Sequence, residues 1–288
     1  MAVEAWIRDP MFDLALLRVP TFTGGLVAAW AISASLFSML TFLILYMQNV
    51  LGYSALQAGV RFLPLTGAIF LTAGIAGRLT AKVPTRWLIA PGFFALGAGL
   101  LLMRGITPQD GWTHLLPGFI IAGIGAGFIN VPLASTAVGV VEQERAGMAS
   151  GINATLRQVG IATGVAALGS ILAGQIRDSV DAALSSGPLA SHAHALADAI
   201  SEGRAAQALA ATPERLRAGA ALASRTAFVD ALNHVMLIAA VAAFAAAVLS
   251  VVLIRARDFV QDRAAPPEDI GAATPPSIAP SAPTRAAA

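Results

Sequence analysis

Cysteine is absent from the 288 residues, so the chain can form no disulfide, bind no metal through thiolate and use no thiol nucleophile. Charge is scarce as well: Asp, Glu, Lys and Arg make up 12% of the sequence, 57% is hydrophobic, and the mean hydropathy is +0.73. That excludes an ordinary water-soluble enzyme, in which about a quarter of residues are charged. The 18 basic residues exceed the 16 acidic ones by only two and flank apolar stretches instead of forming a patch, which excludes a nucleic-acid partner. Histidine is limited to four scattered residues, and the pair His192 and His194 has no further ligands in view, so neither a metal nor a cofactor is expected. Glu4, Asp9 and Asp13 stand where an export signal would be basic, so no cleaved signal is expected and the first span serves as the anchor.

What the sequence has in abundance is long neutral tracts. No charged residue falls between Arg18 and Arg61, and Phe22 to Met47 exceeds the roughly 20 residues needed to cross hydrocarbon. Apolar runs bounded by charge predict helices over 21–48, 57–78, 87–104, 114–140, 149–175 and 228–254. Glycines within them, such as Gly123, Gly125 and Gly127, would weaken a soluble helix but suit close packing in lipid. Backbone in lipid must satisfy its own hydrogen bonds, so the expected fold class is all-α, an integral membrane bundle of six transmembrane helices.

An even number of spans places both termini on one side. Arg8, Arg18, Arg78, Lys82, Arg86, Arg145, Arg255, Arg257 and Arg263 share that side, which the positive-inside rule makes cytoplasmic; the location is the cell's inner membrane. The expected organisation is a leader over 1–20, five spans within 21–176, an extracytoplasmic Ala-rich helical loop over 177–227, a sixth span over 228–254 and a disordered tail over 255–288. In the leader, Asp9 and Pro10 form an N-cap and first helical position, with Phe12, Leu16 and Val19 along one apolar face, the pattern of a short interfacial helix. The loop is expected to hold two amphipathic helices, broken near Gly187-Pro188 and Thr212-Pro213. Trp87 and Trp112 are expected as interface anchors, and Arg61 as a residue whose long stem snorkels outward.

Polar residues inside such spans carry the functional expectations. Arg157 costs about 2.5 to 3.5 kcal/mol at a helix centre, so it should face other helices or a wet cavity. Asn153 lies one turn before it and Gln158 follows it; with Asn130, placed beside the local break or ordinary proline kink expected at Pro132, they form the candidate substrate-pathway or gating set. Gly147 with Gly151, and Gly160 with Gly164, have the small-xxx-small spacing that admits a neighbouring helix. No span core contains Asp or Glu; Asp230 comes nearest and, with His234 one turn deeper, is the candidate proton-coupling pair. No span shows the paired carboxylates, metal ligands or nucleophile and base of a membrane-embedded enzyme, so no enzymatic activity is expected.

The stretches Asp13 to Arg18, Tyr46 to Ser54 with Gln57-Ala58-Gly59 and Leu63-Pro64, and Gly147 to Gly164 together resemble the C-terminal half of the fourteen-helix drug/proton antiporters of the major facilitator superfamily, the EmrB/QacA type. The loop with Gly77, Arg78, Lys82 and Arg86 is similar to that superfamily's short cytoplasmic loop motif, departing from it at Ala81 and Pro84. The resemblance implies one six-helix bundle of a major facilitator fold. It also implies proton-driven export of amphipathic drugs or natural products through alternating access with a second bundle, the N-terminal half of a transporter or a second copy. The competing expectation is a non-transporting membrane protein that acts as an assembly or regulatory partner. Expected partners are thus lipid, a small amphipathic substrate and another bundle.

Overall fold

A computed structural model describes residues 16, 18–184, 198, 199, 204, 207, 210, 212–255, 258 and 259. Lipid offers the backbone no hydrogen-bond partners, and the described residues are helical with no strand among them. We number the helices α1 (Pro20–Val50), α2 (Ala55–Thr80), α3 (Arg86–Leu102), α4 (Trp112–Gly139), α5 (Ala146–Leu184) and α6 (Glu214–Leu253). All but α3 are long and apolar enough to cross a membrane; α3, at 17 residues, is at the short limit of spanning length.

Local chemistry explains where these helices begin and end. Pro20 opens α1 at the first helical turn, where its missing N–H costs nothing. Ser54 starts α2 with a capping box: its hydroxyl accepts from the Gln57 amide at 3.2 Å, while the Gln57 side chain accepts from the Ser54 amide at 3.1 Å. The connections before α2 and α4 turn at Gly52 (φ +72°) and Gly105 (φ +84°), backbone values that favour glycine.

The chain runs up and down, so the basic connections gather at one end. There the Thr21 hydroxyl and amide both donate to Asp258 Oδ2, at 2.7 and 3.3 Å, and Arg255 N donates to Thr21 Oγ1 at 2.7 Å. The residues after α6 thereby cap the start of α1 across 237 positions of sequence. At the opposite end Asn233 of α6 clamps the α3–α4 connection. Its Oδ1 accepts from Gly105 N (2.9 Å) and Ile106 N (3.2 Å), and its Nδ2 donates to Ile106 O (2.9 Å). Asp110 in the same connection accepts from the Thr107 amide and hydroxyl, both at 2.8 Å; these bonds, the amide's first, hold its carboxyl below the usual carboxylate range.

The core is continuous and built on backbone proximity. Tyr46, Phe93, Leu96, Leu100 and Phe119 are buried at its centre. A Cβ on Gly92 of α3 would come 2.9 Å from Gly125 O of α4, so these two helices touch backbone to backbone.

One expectation requires correction. The stretches 177–184 and 214–227, assigned to the extracytoplasmic loop, are continuous helix with α5 and α6. With 39 and 40 residues, these helices reach about 60 Å, twice the hydrocarbon thickness. Charged residues such as Arg177 and Arg217 end the apolar run but not the helix, because buried Leu168, Leu172, Ile176 and Val180 give α5 an apolar row at four-residue spacing, and α6 packs on α5. At Pro132, where either a local break or an ordinary proline kink is expected, α4 continues as helix through the proline, so the loss is confined to the hydrogen bond that proline cannot make. The leader helix before Leu16, the turn at Gly187-Pro188, the pair His192 and His194 and the tail beyond Phe259 lie outside the described residues.

Candidate functional site

The fifth span carries an unusual load of polar side chains, and the structure shows where each goes. Arg157 is half-buried on α5 and donates from Nη2 to Asn130 Oδ1 of α4 in a short hydrogen bond. Two residues singled out independently, 27 positions apart, are thus brought together. Asn130 is oriented for this by its own helix: Nδ2 donates to Ala126 O at 2.9 Å, which leaves the carbonyl oxygen pointing to the guanidinium. Among the described residues Arg157 Nε is buried without a hydrogen-bond partner, and so is Nδ2 of Asn153, a residue only 8% exposed. Among the described residues Arg157 forms no ion pair.

The same helix has two different faces. Gly160 and Gly164 lie against α1, where added Cβ atoms would come 2.6 Å from Trp30 O and 2.5 Å from Ala34 O. The contact is tied by Trp30 Nε1, which donates to Thr163 Oγ1 at 3.0 Å, and by Ser38 Oγ, which donates to Ile161 O at 3.4 Å. The stretch of α1 that meets α5 includes a π-helical turn, Ser33–Phe37, a departure from regular helix that often accompanies function. Gly147 and Gly151, expected to pack in the same way, meet nothing within 4 Å among the described residues. They belong to an exposed strip with Ser150, Ala154, Thr155, Gln158 and Ala162. A lipid-facing surface here looks different: α2 exposes Phe70, Leu71 and Ile75, and α6 exposes Val241, Val248 and Val252.

The other candidates are dispersed. Asp230 and His234 are both exposed on α6, flanking the clamp residue Asn233, and neither has a hydrogen bond or ion pair among the described residues. In the loop motif Gly77, Arg78 and Lys82 are exposed, whereas Arg86 is half-buried, with its guanidinium 5.4 Å from the Trp87 ring and its Nε unpartnered. Arg61 does not simply extend outward. Its guanidinium lies 3.7 Å over the Tyr53 ring and 5.6 Å from that of Trp112, and its Nη1 donates to Gln57 O at 2.8 Å. Asn233, Thr21 and Asp258 escaped sequence reasoning because single polar residues near helix ends look like ordinary interfacial polarity.

Comparison with known proteins is consistent with this architecture. The family described as Major Facilitator Superfamily matches residues 4–165. Puromycin resistance protein pur8 of Streptomyces alboniger is 34% identical over 176 residues, covering 60% of this chain and 35% of that protein. Cephamycin export protein CmcT of Amycolatopsis lactamdurans is 36% identical over 173 residues, covering 58% and 35%. Multidrug resistance protein Stp of Mycobacterium tuberculosis is 30% identical over 176 residues, covering 60% and 33%. The match thus spans about a third of the length of these relatives.

Proposed function

The chain belongs to the Major Facilitator Superfamily, and from that footing we propose that it is one six-helix bundle of a proton-coupled exporter of amphipathic drugs or natural products. The observation that carries this reading is the Arg157–Asn130 bond between α4 and α5, set in a helix whose adjoining face is polar and uncovered. An arginine in a span is costly, and its persistence beside an exposed polar strip fits a hydrated path better than a lipid-facing surface. The relatives named for resistance and export support the direction of transport. The fourteen-helix type and the assignment to its C-terminal half rest on the resemblance in the motifs.

In this reading a second bundle covers the α5 strip, and the two rock about a site near the bilayer midplane. That bundle is an N-terminal half or a second copy of this chain. Asp230 with His234 is the proton-coupling candidate within the chain, since the remaining spans hold no carboxylate apart from those in the projecting parts of α5 and α6. The basic end, with Arg78, Lys82, Arg86, Arg145 and Arg255, is cytoplasmic, so both termini are cytoplasmic and the location is the inner membrane.

The deciding experiment is substrate-dependent proton flux in liposomes. Reconstituted together with a second bundle, the chain should acidify or alkalinise the lumen only when substrate is added, and Arg157→Ala should abolish flux at unchanged membrane abundance. Unchanged flux in Arg157→Ala would remove Arg157 from the pathway, and no flux in any pairing would favour a non-transporting assembly partner.

A further inference from the structure

What the polar cluster on α4 and α5 lacks is an anion. A guanidinium carries five N–H donors, and the side-chain acceptors in the cluster are neutral amide oxygens: Asn130 Oδ1, which accepts from Arg157 Nη2, and that of Asn153. Asn130's own amide is consumed by Ala126 O, and among the described residues the buried Nε of Arg157 and Nδ2 of Asn153 have no acceptor. Asn153 and Arg157 are four residues apart on one helix, so their side chains are neighbours on one face. Asn130 is neutral, so it orients the guanidinium without compensating its charge, and Arg157 forms no ion pair among the described residues. A buried cation with unmet donors is a strong demand for an oxyanion, because charge-assisted bonds at low dielectric are among the strongest a protein makes.

We infer that the Arg157, Asn130 and Asn153 cluster recognises the oxyanion of an amphiphile, a carboxylate or chemically equivalent group, and discriminates against cationic amphiphiles. This rests on the pathway reading above and deepens it by naming the substrate class. The apolar body of the ligand lies along the small residues of the uncovered strip, Gly147, Gly151 and Ala154, while its oxyanion accepts from the Arg157 guanidinium and, once side chains shift to admit it, from the buried Asn153 Nδ2. A cationic ligand at the same place meets like charge and no compensating carboxylate.

The test is binding to the full chain in phosphatidylcholine nanodiscs, with empty discs as background. Three matched probes are used: 11-(dansylamino)undecanoic acid, its methyl ester and the corresponding trimethylammonium analogue. The acid should bind about tenfold or more tightly than either of the others, the scale of one charge-assisted hydrogen bond. Arg157→Gln should erase that preference, Arg157→Lys should keep part of it, and Asn153→Ala should weaken the acid several-fold while leaving the ammonium probe unchanged. Equal or tighter binding of the ammonium probe overturns the inference. If Arg157→Gln does not fold, Asn153→Ala decides: an undiminished acid preference overturns it, a diminished one supports it. Should all three probes bind alike above background, the oxyanion inference fails and the pathway reading stands. Should none bind above background, the oxyanion inference fails and the flux experiment alone decides the pathway reading.

Discussion

Two glycine pairs on one helix, both spaced by four, have opposite surroundings. Gly160 and Gly164 are pressed against α1 so closely that added Cβ atoms would fall 2.6 and 2.5 Å from its carbonyl oxygens, whereas Gly147 and Gly151 meet nothing within 4 Å among the described residues. The difference teaches that small-residue spacing states where a helix can be approached, not that it is approached. It also separates a closed stretch of α5 from one that builds the bundle only through its inner face, with Ala149 and Ile152 buried, and is open on the other; the polar cluster of Asn153 and Arg157 falls between the two glycine pairs.

The largest effect expected from breaking that contrast comes from filling the closed half. Gly164→Leu forces a branched side chain into α1 backbone and should cost at least about 3 kcal/mol, read as lost yield and a lowered Tm in detergent. Gly151→Leu should change stability by less than about 0.5 kcal/mol, read as a nearly unchanged Tm. If it instead abolishes transport in the assembled protein at full abundance, the open half is covered there by a second bundle.

The polar cluster tests the boundary between the halves. Asn130→Leu should leave Arg157 Nη2 without its acceptor and cost about 1 to 3 kcal/mol in chemical denaturation, and the double variant with Arg157→Leu should recover part of that loss. Strict additivity of the two would contradict a direct bond.

Smaller effects are expected where structure sits outside the membrane-facing core. Asn233→Ala removes three hydrogen bonds to the α3–α4 connection and should raise amide exchange at Gly105 and Ile106 by tenfold or more, about 1.4 kcal/mol or above, without global unfolding. Arg177→Ala, which deletes an exposed ion pair with Asp198 at 2.7 Å, should lower stability by no more than about 0.5 kcal/mol, read as a nearly unchanged Tm.

The smallest effect is a pH response at Asp110. Its carboxyl is held low chiefly by the Thr107 amide, then by the Thr107 hydroxyl, with His114 adding in the same direction. A depressed carboxylate contributes above its unfolded value and loses that contribution as pH falls through the lowered folded value. Exchange of the Thr107 amide, corrected for intrinsic rate, should therefore be slow at pH 6 and faster once the pH drops below the ordinary carboxylate range; no change would show that the bond to Asp110 Oδ2 does not protect it.

Much of the fold was legible because lipid makes strong, simple demands. Neutral runs near 20 residues located α1 to α4 within a few residues at each end, and charge clusters gave the alternation. The projecting parts of α5 and α6 were not legible for the same reason. Once outside hydrocarbon, a helix is held by its partner's apolar row and not by mean hydropathy, so charge at Arg177 or Arg217 ends the wrong quantity. The site was half legible: a costly Arg157 and an Asn130 beside proline each stood out, but nothing in a sequence says that two helices bring them within one hydrogen bond.

The sequence alone therefore determined the solvent of this protein, the helical state of its backbone and which side chains are expensive where they stand, since each follows from transfer free energies read one residue at a time. Only the tertiary structure decided which glycines are contacts, that Asn130 orients Arg157 without neutralising it, and that Asn153 is left with an unspent donor, because pairing depends on the rotation and register of neighbouring helices.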